Sequence, residues 1–93
     1  MLLEKLEGQK GILRLLVFVY DNGESNFQKI VDEGNLYDRV VRSSVAVLKE
    51  INLLTTRVDD SSYPRKNMVS LTERGETIAK KLKEIEKVLG EID

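Results

Sequence analysis

Hydrophobic residues recur at helical spacing through the first third of the chain. The apolar residues between positions 12 and 20 form one broad face, which predicts a first helix, and the turn-forming residues 21–23 end it. A second, shorter helix is predicted from the apolar pattern that follows, with Ser25 or Asn26 as its N-cap and an end near Gly34. Two amphipathic helices joined by a tight turn are therefore expected here.

The third predicted helix has the clearest apolar stripe and runs from about residue 36 to residue 51. Its inward residues lie at i, i+4, i+7 and i+10: Val41, Val45, Leu48 and Ile51. We expect them to be buried together with residues of the first two helices, namely Ile12, Leu16, Phe27 and Ile30. Asn35 is expected to cap the start of this helix, and Asn52 to adopt the left-handed backbone that ends it.

Two short runs with the alternation of β-strands follow the third helix. Leu54–Asp59 and Met68–Leu71 can pair with each other, and Pro64 presets a turn between them. The sequence therefore predicts a two-stranded hairpin over about residues 54–71. Three helices followed by a hairpin and one more helix make a mainly α fold with a small β-hairpin, in the arrangement of a winged helix-turn-helix.

The last helix is predicted over about residues 73–89. Thr72 is expected to cap it, because its hydroxyl can accept a hydrogen bond from an otherwise unpaired backbone amide. Gly75 in its first turn has a poor helix propensity, so we expect another segment to pass close to this glycine.

A narrow apolar seam runs along the last helix. Its residues are spaced by 4, 3, 4 and 3: Ile78, Leu82, Ile85, Leu89 and Ile92. Such spacing is typical of a helix that pairs with its symmetry mate, and we expect a homodimer through this seam, which Leu2, Leu3 and Leu6 can join. The alternative is that the seam packs against the first helix of its own domain. A domain this small has little surface left to cover so long a helix, which favours the dimer.

Composition limits the chemistry. The 93 residues make one domain, 1–93, which contains neither cysteine nor histidine. Disulfides, Cys- or His-based nucleophiles and most zinc sites are thereby excluded. Adjacent carboxylates such as Asp59 and Asp60 point apart and do not converge on one substrate atom. We expect no enzyme activity, catalytic residue, cofactor or metal.

The longest apolar run, residues 15–20, is too short to cross a membrane, and no secretion signal opens the chain. We therefore expect a cytoplasmic protein.

Charge is distributed unevenly along the chain. The net charge is −1, yet residues 35–71 hold six basic and four acidic residues, a net +2, and the other 56 residues sum to −3. Positive charge is thus concentrated in the predicted third helix and hairpin, and the predicted second helix is acidic on its outer side. The net negative charge counts against strong non-specific binding of nucleic acid, and this modestly uneven distribution softens that objection.

The second and third helices have the spacing of a helix–turn–helix, whose second member enters the DNA major groove. With the apolar stripe facing inward, the outer face near the start of the third helix carries Tyr37, Asp38, Arg39, Arg42 and Ser43. Arginine can bind guanine edges or phosphate, and serine can take either role. The alternative is that both arginines only solvate the outer face of a core helix. The hairpin with Arg65 and Lys66 near its tip favours the DNA-binding interpretation.

Two strings of the sequence resemble winged-helix regulators of the MarR, HxlR and PadR types. Residues 45–54 are similar to the end of their third helix, and residues 64–75, with the L-T-x-x-G pattern at 71–75, to their wing and its junction with the last helix. The resemblance covers most of residues 10–89. It implies a helix–helix–helix–hairpin–helix fold and dimerisation through the terminal helices. The DNA contacts that it implies are Tyr37, Arg39, Arg42 and Ser43 in the helix and Arg65 and Lys66 in the wing.

Two functional hypotheses follow. The first is a homodimeric, sequence-specific transcriptional regulator that binds double-stranded DNA, with residues 36–51 in the major groove and the wing, residues 54–71, on the flanking backbone. The alternative is a winged-helix protein–protein interaction module within a larger assembly. Salt dependence separates them, because phosphate contacts make DNA affinity fall steeply with salt.

Overall fold

The computed structural model describes residues 3–61 and 63–90. Leu2 and Ile92, which the predicted seam includes, lie outside these residues. Within the described residues, five helices and three strands follow one another: α1 (Leu3–Glu7), α2 (Ile12–Asn22), β1 (Ser25–Asn26), α3 (Phe27–Gly34), α4 (Asp38–Glu50), β2 (Leu54–Asp59), β3 (Lys66–Leu71) and α5 (Glu73–Gly90). The predicted order of three helices, a hairpin and a long last helix is confirmed, and α1 and β1 add to it.

The core lies between α2, α3 and α4 and is closed by the sheet. The predicted inward stripe of α4 is buried at Val41, Val45 and Leu48, whereas Ile51 is only partly buried. From the other elements, the predicted residues Ile12, Leu16 and Ile30 are fully buried, and Phe27 is partly buried and packs against this core. The periodic apolar face of each helix therefore identifies the core, because burial of such faces is the main driving force of folding.

The turn between α3 and α4 differs from the prediction. Asn35 does not cap α4; it ends α3, with left-handed backbone angles (φ 56°, ψ 47°) and a backbone N–H that bonds Val31 O. One residue cannot do both, since an N-cap needs extended backbone. Tyr37 takes the N-cap position without a side-chain hydrogen bond, and α4 begins at Asp38, whose charge suits the positive end of the helix. The N-cap of α3 is Asn26, as predicted, and its side chain accepts from Lys29 N at 2.8 Å.

The sheet has the strand order β1-β3-β2, with both pairs antiparallel. The hairpin pairs Leu54 with Leu71 at its base and Asp59 with Lys66 at its far end, so the second strand starts two residues earlier than predicted. β1 was not predicted, because a strand of two residues is too short to show an alternating pattern. It pairs Ser25 with Val69 and so joins the hairpin to the turn between α2 and α3.

The junction between the hairpin and α5 confirms three predictions. Thr72 Oγ1 accepts from Gly75 N at 3.0 Å and donates to Asn52 O at 2.8 Å. Asn52 ends the α4 region with left-handed backbone (φ 62°). A Cβ built on Gly75 would collide with the backbone oxygen of Leu53, so the close approach expected at this glycine is present. The residues that follow α4 and the first turn of α5 are thus held together by a hydrogen bond and by close backbone packing.

Helix α5 is covered over only part of its length. It packs mainly against α2, and Ile78 and Leu82 are partly buried against the core. Farther along, Ile85, Val88 and Leu89 are exposed by 55%, 58% and 60%. The radius of gyration is 13.4 Å, against about 12 Å for a compact domain of this length, which agrees with a long helix whose end is not enclosed.

Candidate nucleic-acid interface

A groove of about 530 Å³ separates the hairpin tip from the first turns of α3 and α4. Its walls are formed by Asn26, Phe27, Gln28, Lys29, Glu33, Asp38, Arg42, Pro64, Arg65, Lys66 and Asn67. We call it the tip groove. Of the six predicted DNA contacts, it brings together Arg42 from α4 and both Arg65 and Lys66 from the hairpin. Residues far apart in the sequence thus form one surface.

Arg42 is held in the tip groove by two neighbours. Its Nε donates to Asp38 Oδ2 at 2.8 Å, one turn earlier on α4. Its guanidinium carbon also lies 5.5 Å from the centre of the Phe27 ring, within the range of a cation–π contact. Among the described residues, no hydrogen bond involves the two terminal nitrogens of Arg42. These nitrogens remain available to a ligand, since the side chain is two-thirds exposed.

The hairpin tip balances two basic residues with two acidic ones. Arg65 Nε lies 3.2 Å from Asp60 Oδ1, and Lys66 pairs with Asp59 across the strands. Hydrogen bonds from the hydroxyl and backbone amide of Ser61, aided by the positive charges of Arg57 and Lys66, lower the pKa of Asp59. The Arg65–Asp60 ion pair is exposed, so it contributes little to stability, and Arg65 can exchange its partner for a phosphate.

The other three predicted contacts lie outside the tip groove. Tyr37 is 81% exposed and lines a separate cleft together with Lys10 and Arg14. Arg39 and Ser43 are exposed on α4, each one residue after a member of the Asp38–Arg42 pair and so farther round the helix. Within residues 3–61 and 63–90, the side chain of Arg39 has no hydrogen-bond or ion-pair partner.

The sequence patterns missed several groove residues. Gln28 and Lys29 in the first turn of α3 line it, as does Asn67 on β3, whereas Asp38 on α4 was placed on the outer face but not among the contacts. The cap at Asn26 fixes where α3 begins and could have indicated the position of Lys29, but the approach of α3 to the hairpin depends on β1. No local pattern revealed that contact.

A two-bonded ion pair joins the middle of the hairpin to the residue before β1. Arg57 on β2 donates from Nε and Nη2 to the two carboxylate oxygens of Glu24, at 2.8 and 2.6 Å. The hydrogen bond from Arg57 lowers the pKa of Glu24, and the same bond raises the pKa of Arg57. Because Glu24 directly precedes β1, this pair spans the sheet from one edge to the other.

Neither a membrane-spanning helix nor a metal-binding cluster of side chains occurs in the described ranges, 3–61 and 63–90. None of the helices there has the length and apolar character needed to span a membrane. In the same ranges, no cluster of three or more acidic side chains has the geometry to hold a metal ion.

Solved structures of regulators share this arrangement. The transcriptional regulator homologue from Pyrococcus horikoshii OT3 is 23% identical over 97% of this chain and 98% of its own, with a TM-score of 0.69. A MarR family regulator from Neisseria meningitidis is 21% identical over 87% of this chain and 56% of its own, with a TM-score of 0.72. The chain has a winged-helix fold of the MarR type. In this fold α4 is the third helix and the β2–β3 hairpin is the wing.

A third similar structure is, like the Neisseria regulator, longer than this chain. It is BpsR of Bordetella bronchiseptica, whose DNA binding is regulated by 6-hydroxynicotinic acid; it is 20% identical over 88% of this chain and 61% of its own, with a TM-score of 0.77. The chain thus spans little more than half the length of the Bordetella and Neisseria proteins. Searches with family models and among curated proteins find no match to the sequence.

Proposed function

We propose that this protein is a sequence-specific DNA-binding regulator of transcription that acts in the cytoplasm. The exposed side of α4 enters the major groove, and the wing contacts the flanking backbone. The observation that carries the proposal is the tip groove, in which Arg42 of α4 faces Arg65 and Lys66 of the wing. A duplex seated on α4 would therefore meet basic side chains from both elements.

The positions of the six predicted contact residues support two different roles, base contacts from α4 and phosphate contacts from the wing. Arg39, Arg42 and Ser43 are on the exposed side of α4, where side chains reach base edges, and Tyr37 precedes them at the N-cap. Arg65 and Lys66 lie at the wing tip, where the sugar–phosphate backbone is the nearer target. Phosphate contacts give affinity and position, whereas base contacts give sequence preference.

The regulator is proposed to act as a homodimer. The exposed apolar residues Ile85, Val88 and Leu89 continue into a groove of about 450 Å³ between α2 and α5, whose apolar walls include Leu13 and Val17. Exposed apolar surface of this kind is typical of an interface. A second copy is the occupant proposed for it, since Ile85 and Leu89 belong to the 4-3-4-3 seam, which two copies can share.

Charge pairing supports the alternative of a protein-interaction module. Arg42, Arg57 and Arg65 are each paired with a carboxylate, and the net charge of the chain is −1. Both features weaken the positive potential that DNA binding requires. A winged helix with such a surface could bind another protein in place of DNA.

Selection from a randomised duplex library, at low and at physiological salt, tests the proposal. We expect the purified protein to select a preferred sequence. Arg39→Ala or Arg42→Ala should cost about 1–3 kcal/mol of binding free energy and relax the preference at particular base pairs. Arg65→Ala and Lys66→Ala should weaken binding to every duplex alike and reduce the salt slope by about 0.9 for each lost phosphate contact.

Lys80→Ala is the matched control, because it removes one positive charge from the exposed surface of α5, away from the tip groove. It should leave affinity and preference unchanged. If no duplex binds even at low salt, or if the four basic substitutions behave like this control, the DNA proposal is wrong and the protein-interaction module replaces it.

A further inference from the structure

The environment of Arg42 restricts which of its atoms can reach a ligand. Asp38 accepts a hydrogen bond from Nε of the guanidinium, and the guanidinium carbon lies over the Phe27 ring, 5.5 Å from its centre. The two terminal nitrogens remain, and they form a fork of parallel donors at the end of the side chain. This fork matches two acceptors side by side, which guanine presents in the major groove as O6 and N7.

Arg39 provides a contrast on the same helix. Within residues 3–61 and 63–90 it has no partner for its guanidinium, so it keeps its rotameric freedom and can adapt to more than one acceptor on a base edge. Arg42 has already lost part of this freedom in the free protein. A side chain held in its binding geometry loses less entropy on contact and discriminates more strongly between ligands.

Asp38 also acts directly on DNA through its charge. It lies in the first turn of α4 and lines the tip groove, where phosphates would approach. Its carboxylate repels them, which lowers the affinity for DNA of any sequence. A guanine in register with Arg42 compensates for this repulsion, whereas another base does not. One carboxylate can therefore lower non-specific affinity and raise sequence preference together.

Resting on the proposed DNA-binding function, we propose that Asp38 is a specificity-determining residue. It positions Arg42, together with Phe27, to bind one guanine through the two terminal nitrogens. Asp38 is a positioning residue and contacts no base itself. The expected consequence is that the preference for one G·C base pair depends on Asp38 and Arg42 jointly.

Binding of the full chain to three kinds of duplex tests this. They are the duplex selected by the wild type, the same duplex with single base-pair changes, and an unrelated duplex. Arg42→Ala should reduce discrimination at one G·C pair by a factor between about 5 and 150, the range of a good bidentate contact. Arg42→Lys should lose most of it too, because lysine cannot form the two parallel bonds.

Asp38→Asn should act at the same base pair, with a loss of discrimination of about threefold or more. It should at the same time bind the unrelated duplex more tightly than the wild type, since a negative charge has been removed. If Asp38 only stabilised the helix, its substitution would lower both the base discrimination and the affinity for the unrelated duplex. In a double-mutant cycle, Asp38→Asn should add no further loss of preference once Arg42→Ala is present.

Glu50→Gln is the matched control, because Glu50 lies at the other end of α4 and forms a similarly exposed ion pair, at 3.0 Å, with Lys5. It should change neither affinity nor preference. The inference is overturned if Asp38→Asn leaves base preference intact, or relaxes it at a base pair other than that of Arg42. Absence of any DNA binding by the wild type would instead contradict the proposed function itself.

Discussion

At the scale of single residues, the tightest constraint lies where α5 begins. Gly75 is buried beneath the backbone of Leu53, and Thr72 bonds both the Gly75 amide and the Asn52 carbonyl. The nearest neighbours of Gly75 are backbone atoms of Leu53, which cannot move aside as a side chain does. The L-T-x-x-G pattern therefore has a physical basis here: the threonine satisfies the helix end, and the glycine allows the strand connection to pass.

Gly75→Ala is predicted to destabilise the protein strongly. The added methyl group would overlap the Leu53 carbonyl oxygen, so α5 or the connection to β2 must shift. Overpacking of this kind costs about 3 kcal/mol of unfolding free energy, a large part of the roughly 5–14 kcal/mol expected for a domain of this length. Urea unfolding followed by circular dichroism measures the loss.

Gly90→Ala is the control for this substitution. Gly90 belongs to the same helix, is exposed, and has no atom within 4 Å of the position where a Cβ would stand. It should leave the unfolding free energy unchanged or raise it slightly, since alanine has the higher helix propensity. Equal effects at the two glycines would show that helix propensity, and not the contact with Leu53, explains Gly75.

At the scale of elements, the wing is attached to the helical core at both edges of the sheet. β1 pairs with β3, and the Glu24–Arg57 ion pair joins β1 to β2. The tip groove lies between this sheet and the helices, so its shape depends on these attachments. A wing fixed in this way presents Arg65 and Lys66 at a defined distance from α4.

The Glu24–Arg57 pair makes a prediction about pH. Arg57 lowers the pKa of Glu24 in the folded protein below the ordinary value of 4.5, so the folded state binds fewer protons than the unfolded state in this range. The pair therefore stabilises the fold above about pH 4.5, and this contribution is lost as the pH falls through the lowered pKa. Glu24→Gln should unfold more easily than the wild type at pH 7, with a difference that shrinks toward about pH 3.

Urea unfolding of the two proteins at several pH values measures this difference in unfolding free energy. Taking the difference cancels the contribution of the carboxylates that both proteins share. About 1 M salt should reduce the difference at pH 7, because it shortens the screening length to about 3 Å and the pair is exposed. A difference that is the same at both ends of the pH range would mean that the charge of Glu24 is not what stabilises the wing.

The elements differ in how far the sequence predicts them. The helices and the two hairpin strands are predicted well, because each has a periodic apolar face or an alternating pattern. β1 is not, since Ser25 and Asn26 form a strand only through their pairing with β3. Asn35 was assigned to the wrong helix end because asparagine suits both an N-cap and a left-handed C-terminal position. Likewise, the contact between Phe27 and Arg42 arises from the packing of α3 against α4, and no local sequence pattern indicates it.

At the scale of the whole molecule, α5 has two halves with different surroundings. Ile78 and Leu82 pack against the core of their own chain, which is what the alternative interpretation of the seam expected. Ile85 and Leu89 are exposed, with Val88 between them. The seam thus continues from an intramolecular contact onto an open apolar surface. The proposed dimer concerns this second half, and a substitution there can separate assembly from folding.

Ile85→Glu combined with Leu89→Glu is predicted to give a folded monomer. Both side chains are more than half exposed within one chain, so the charges cost little in the monomer. In the dimer they would be buried at an apolar interface without partners, which is strongly unfavourable. Sedimentation should show a wild-type dimer and a variant monomer, and circular dichroism should show the same helix content for both.

Two comparisons make this result specific. Lys80→Glu introduces the same charge on the side of α5 away from Leu89 and should leave the dimer intact. Leu82→Glu should instead unfold the protein, because Leu82 packs against the core. A wild type that sediments as a monomer would rule out the homodimer, and with it the simultaneous docking of two α4 helices on two half-sites. A variant that still dimerises would move the interface to another apolar surface, for which the exposed Leu3 on α1 is the next candidate.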